Sequence, residues 1–121
     1  MKNKKPTGKE PKHRIAASSQ VRSVSFGCRG DNTCGSTPPK PHLKPGAAID
    51  LHATNTDVTI TFRKGESPFT PNVPVIQLKQ GETQTFVVSP DTPNPPAQYF
   101  YQIECASGCP VLAGDPEMIV P

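Results

Sequence analysis

The sequence has no tryptophan, and its aromatic residues are only two Tyr and five Phe among 121 residues. No apolar run approaches the ~20 residues that a membrane-spanning helix needs, so no such helix is expected. The 16 prolines fall in nearly every window long enough for a helix, which excludes a coiled coil or helix bundle. There is no nucleophile elbow, no phosphate-cradling glycine loop and no His-x-Glu metal pair. The three histidines, His13, His42 and His52, are scattered without ligand spacing. His42 is expected in a Pro-flanked linker and His52 on the solvent face of a strand. Asp115 and Glu117 are near-neighbour carboxylates, but on either side of a strand start they point differently and make no acid/base pair. One domain's length of chain without catalytic residues predicts a non-enzyme.

Positive charge is unevenly distributed. Residues 1–14 hold six Lys/Arg (Lys2, Lys4, Lys5, Lys9, Lys12 and Arg14) and one acid, whereas the remaining chain has seven Lys/Arg against nine acids. The tail carries Pro6, Pro11 and Gly8 and no aliphatic residue before Ile15. It buries too little to offset its ordering entropy, so residues 1–19 are expected to be a disordered basic tail and residues 20–121 a folded domain. A basic tail can dock on phosphates through counterion release, but the rest of the chain has no basic stripe with interleaved aromatics. Nucleic acid is therefore not an expected partner. The stretch Ile15–Ser23 is not the apolar core of a secretory signal. As written, the chain is expected in the cytoplasm; a leader removed upstream would make it periplasmic or secreted.

From about residue 20 the pattern turns to period two, the signature of half-buried strands. Val24 and Phe26 share a face. Ile49, Leu51 and Ala53 alternate with Asp50, His52 and Thr54; Val58, Ile60 and Phe62 alternate with Thr59, Thr61 and Arg63. Asn55-Thr56-Asp57 between these two runs reads as a tight hairpin turn. Further runs cover Pro74–Leu78 and Thr83–Val88, with Gly81-Glu82 between them. Gln98–Cys105 puts Tyr99, Tyr101, Ile103 and Cys105 on one face and Phe100 on the other, and Met118–Val120 closes the chain. Turn chemistry lies at Pro45-Gly46, Lys64-Gly65-Glu66 and Pro93–Pro96. About seven short strands at this spacing predict an all-β sandwich or barrel.

Three phrases and their order resemble the cupredoxin-like family. Lys44-Pro45-Gly46 leading into Ile49-Asp50-Leu51 and the Asn55 turn is the first. Leu78–Glu82 followed by Phe86 is the second, and Tyr101-Gln102-Ile103-Glu104-Cys105 is the third. The ending Gly114–Val120 resembles small bacterial members that have lost the metal. The resemblance implies an antiparallel Greek-key β-sandwich over residues 20–121, with Cys105 where the family keeps a copper-ligand cysteine. A blue-copper site also needs two His and a weak axial Met. No His follows the Asn55 turn or Cys105, and Met118 reads as a core residue of the last strand. The Cys105-x-x-x-Cys109 spacing matches a binuclear copper centre, but Ala113 occupies the position of its downstream His.

Four cysteines remain. In the cupredoxin arrangement the loop of Cys28 and Cys34 emerges at the same end as that of Cys105 and Cys109. Three chemistries are open: two disulfides, paired within or between the loops; buried free thiols; or four thiolates around one metal ion, zinc or copper. Cytosolic thiols normally stay reduced, while disulfides suit a small Pro-rich sandwich.

Arg29-Gly30-Asp31, between Cys28 and Cys34, has the form of an integrin-binding tripeptide but is three common turn residues. Phe69 and Pro71, in Ser67-Pro68-Phe69-Thr70-Pro71, are candidate interface residues, because a large apolar side chain on a Pro-rigid loop anchors a partner at low entropic cost. The expected function is a small binding or structural module with a protein partner, the alternative being a metal-binding protein using the four-Cys cluster.

Overall fold

The computed structural model describes residues 20–91, 97–111 and 116–121. The basic tail, Pro93–Pro96, Ala113 and Asp115 lie outside the described residues. The described residues form ten strands: β1 (Gln20–Val21), β2 (Ser23–Cys28), β3 (Cys34–Thr37), β4 (His42–Leu43), β5 (Ala48–Ala53), β6 (Val58–Phe62), β7 (Val75–Leu78), β8 (Thr83–Val87), β9 (Ala97–Cys105) and β10 (Glu117–Val120). They form a six-stranded sheet, β1-β4-β10-β9-β6-β7, and a four-stranded sheet, β3-β2-β5-β8. The all-β expectation holds, and every period-two run named above forms a strand.

Alternation decides the faces. Val24, Phe26, Ile49, Leu51 and Ala53 of the smaller sheet turn inward against Val58, Ile60, Phe62, Tyr101, Ile103 and Met118 of the larger, all 3% exposed or less. Five of the seven aromatic rings run through this core in contact. Phe26 meets Tyr101 edge-on at 6.3 Å, Tyr101 meets Phe62 at 5.8 Å and Phe62 meets Phe69 at 6.0 Å; Phe69 then stacks on Phe86 at 5.1 Å. Each such pair contributes about 0.5–1.5 kcal/mol beyond its buried area. The continuous run offsets the missing tryptophan.

Three expectations are corrected. The sandwich is not wholly antiparallel: β2 runs parallel to β5, and β4 runs parallel to both β1 and β10. After β3 and β4 the chain re-enters the smaller sheet from the end where β2 began, which imposes the parallel pairing. The Asn55 turn is not a hairpin, because β5 pairs with β2 and β8 while β6 pairs with β7 and β9. The Gly81-Glu82 turn likewise carries the chain from β7 in one sheet to β8 in the other. His42 lies in β4 rather than in a linker.

Candidate functional site: two disulfides joining the sheets

Strand β2 ends at Cys28, a five-residue loop follows, and β3 begins at Cys34, directly opposite Cys28 in the ladder. Asn32, in the left-handed region at φ 65°, closes this loop by donating its N–H to the Arg29 carbonyl at 2.8 Å. On the larger sheet β9 ends at Cys105. The chain turns through Gly108 at φ +88°, whose N–H donates to the Cys105 carbonyl at 2.9 Å, and arrives at Cys109.

Each sulfur bonds across the sandwich rather than within its own loop. Cys28 is joined to Cys109 with Cα atoms 6.0 Å apart, and Cys34 to Cys105 with Cα atoms 5.9 Å apart. Both separations are ordinary for a disulfide. The between-loop pairing is therefore the one adopted, and no cysteine remains free. The pairs differ in access. Cys34 and Cys105 are buried at 2% and 9% exposure, while Cys28 and Cys109 are half-buried. The sulfurs of Cys28, Cys105 and Cys109 all lie within 4.8 Å of one another.

Backbone and side-chain bonds hold the three converging loops. The Cys34 N–H donates to the Pro110 carbonyl at 2.7 Å, and the Ala106 N–H to the Asp57 carbonyl at 2.9 Å. The Ser107 N–H donates to the buried Thr56 hydroxyl at 2.9 Å. The Asn55 side chain accepts from the Cys28 N–H at 2.9 Å and donates to the Cys28 carbonyl at 2.8 Å. The Ser107 hydroxyl lies 2.9 Å from the Cys28 sulfur. Spacing alone did not single out Ser107 or Asn55 as partners of the cysteines.

The Arg-Gly-Asp tripeptide is not splayed for a receptor. Arg29 folds back onto its own loop, donating from Nη2 to the Thr33 hydroxyl at 2.9 Å and from Nη1 to the Ser36 carbonyl at 3.3 Å. Asp31 accepts from the Thr33 hydroxyl and N–H, and these bonds hold its carboxyl below the usual range.

No family model matches the chain, and no curated protein does. The residues are thus read on their own chemistry. They do not fit a copper ion: the Cys105 sulfur is consumed by Cys34, and no histidine of the described residues stands beside it. His52 is half-buried on β5 and bonds the Thr83 hydroxyl at 2.8 Å. The zinc reading is corrected for this oxidised state, since disulfide sulfurs offer no thiolate.

The other candidates separate as well. Phe69 is 3% exposed and plugs the core, so its ring is not presented to a partner; Pro71 is exposed. Ser67 is responsible for Phe69's position, its hydroxyl accepting from the Phe69 and Val73 N–H groups at 3.3 and 3.0 Å. Glu117 is 7% exposed on β10 and accepts from the Gln98 amide at 3.4 Å. A shallow cleft of about 350 Å³ is lined by Arg63, Lys64, Glu66, Gln98, Tyr99 and Phe100, with the Arg63 guanidinium 5.3 Å from the Phe100 ring centroid. Among the described residues no Ser, Cys or His lines it.

Proposed function

We propose that the chain is a non-catalytic β-sandwich module of an oxidising compartment, with a binding or structural role, built as a cupredoxin-like fold that lacks copper. The observation that carries the reading is the pair of disulfides between the sheets, because paired cysteines persist outside the reducing cytosol and compensate for a small core. The cupredoxin likeness is supported by the two-sheet architecture and by Cys105 at the end of the penultimate strand.

A thiol count on denatured protein from its native source tests this reading. Fewer than one reactive thiol per chain before reduction, and four after it, is the expected result. Four thiols before reduction overturn it.

A further inference from the structure

The sulfur cluster has a second use that the disulfides conceal. We propose that, when an external dithiol reduces both disulfides, the four cysteines become a tetrahedral zinc site that ties the sheets together in place of the lost bonds. Tetrahedral zinc with Zn–S near 2.3 Å sets its sulfurs roughly 3.8 Å apart. Three sulfurs, from Cys28, Cys105 and Cys109, already lie within 4.8 Å of one another, and the fourth, from Cys34, is one covalent bond from Cys105. The cluster draws two ligands from each sheet's end of the sandwich. Its loops carry ties besides the sulfurs, through Asn55 on Cys28, Pro110 on Cys34 and Thr56 on Ser107. Reduction would free four thiols on loops that these bonds still draw together, and the metal would restore the cross-link that reduction removes. The Ser107 hydroxyl, 2.9 Å from the Cys28 sulfur, is placed to donate to a thiolate there, as outer-shell partners do at metal sites.

The balance is simple. Two dithiols each give up two electrons and two protons to one disulfide, leaving two oxidised dithiols and four protein thiols. One Zn²⁺ then binds four sulfurs as four protons leave to solvent, so binding strengthens as pH rises. The attack order follows access: the half-buried Cys28–Cys109 bond yields first and the buried Cys34–Cys105 bond second. The same four residues would then hold the sandwich in an oxidising or a reducing compartment.

The experiment uses the full chain, reduced with excess dithiol, desalted without oxygen and titrated with zinc ion alone, with cobalt(II) as the coloured substitute. Retention of one metal per chain, a cobalt spectrum of tetrahedral thiolate type and a higher melting temperature than the metal-free reduced protein are expected. The oxidised chain should retain none. Cys34→Ala should weaken zinc binding by more than the roughly 10–100-fold that loss of an outer-shell partner costs. Reduced protein that keeps no metal through desalting, or that melts identically with and without zinc, overturns the proposal. So does equal retention by the oxidised chain. The native thiol count above is independent of all these outcomes.

Discussion

Asn55 stands in for a strand residue beside Cys28: its side-chain amide makes both hydrogen bonds, 2.9 and 2.8 Å, that a neighbouring backbone would make. The turn that carries the chain between the sheets thereby grips the residue that covalently joins them. Asn55→Ala leaves both Cys28 groups to water, because the site is exposed. A loss of about 1–2 kcal/mol is expected, seen as a lower urea midpoint with an unchanged slope.

Gly27, one residue earlier, is the stricter position. Its φ is +152°, and a β-carbon there would sit 2.5 Å from both Asn55 Oδ1 and Thr54 Oγ1. Gly27→Ala is expected to cost more than the Asn55 substitution, on the order of 2–4 kcal/mol, through crowding and an unfavourable backbone. Thermal melts of the two variants side by side check the ranking. Equal losses would mean that the Asn55 amide shifts aside freely.

The two disulfides should not act additively. Either one alone closes a long loop, of 81 or 71 residues in sequence separation, worth about 4 kcal/mol on chain-entropy grounds. With one already closed, the other closes only the short stretches 28–34 and 105–109, worth about 3 kcal/mol. Removing one pair as Cys28→Ala with Cys109→Ala should therefore cost less than subsequently removing Cys34 and Cys105. Denaturation of the three proteins measures the difference, and a larger first loss contradicts the nested-loop account.

Tyr101 supplies a prediction with an unusual sign. It is 1% exposed, and its hydroxyl has no hydrogen-bond partner among the described residues. The Ser36 hydroxyl nearby donates instead to the carbonyls of Pro38 and Pro39. Tyr101→Phe keeps the ring contacts and removes an unsatisfied polar atom, so stability should be unchanged or rise by up to about 1 kcal/mol.

Burial, the main cause, also pushes the Tyr101 phenol above its ordinary value of 10. Above pH 10 the unfolded chain gives up this proton while the folded chain keeps it. Stability then falls as pH rises, and the fall ends once the folded phenol also ionises. Chemical denaturation at increasing pH above 10 should show this slope in the native protein and a shallower one in Tyr101→Phe. Identical slopes would place the phenol in contact with solvent.

Much of the fold was legible in the sequence because period two is a local signal. Val24 and Phe26, Ile49 to Ala53, and Val58 to Phe62 declare their inward faces without reference to anything distant. Turn chemistry is local too, but it does not say where the next strand goes. Asn55-Thr56-Asp57 suits a hairpin and an inter-sheet corner equally well. The corner is chosen by the pairing of β5 with β2 and β8, which depends on strands far away in sequence. Cysteine pairing was illegible for the same reason, since it awaited knowledge of which loops converge. Phe69 misled because a Pro-rich segment reads as exposed, whereas Ser67 and Asn72 fold it inward through side-chain bonds. Arg29 was similarly hidden, its guanidinium lying against Gly35, where a β-carbon would meet it at 3.0 Å.

The Phe69 segment also lies against the end of β8, the outer strand of the smaller sheet. Phe69 bridges Val88, the Thr70 N–H donates to the Val87 carbonyl at 2.9 Å, and the Ser89 N–H donates to the Pro68 carbonyl at 2.8 Å. An uncovered margin of this kind is a template on which a second molecule can add a strand. A substitution that pulls this plug, such as Phe69→Ser, would open a hole inside and bare sticky backbone outside in a single stroke. Such a variant should become turbid on standing before it loses its overall β-sheet signal.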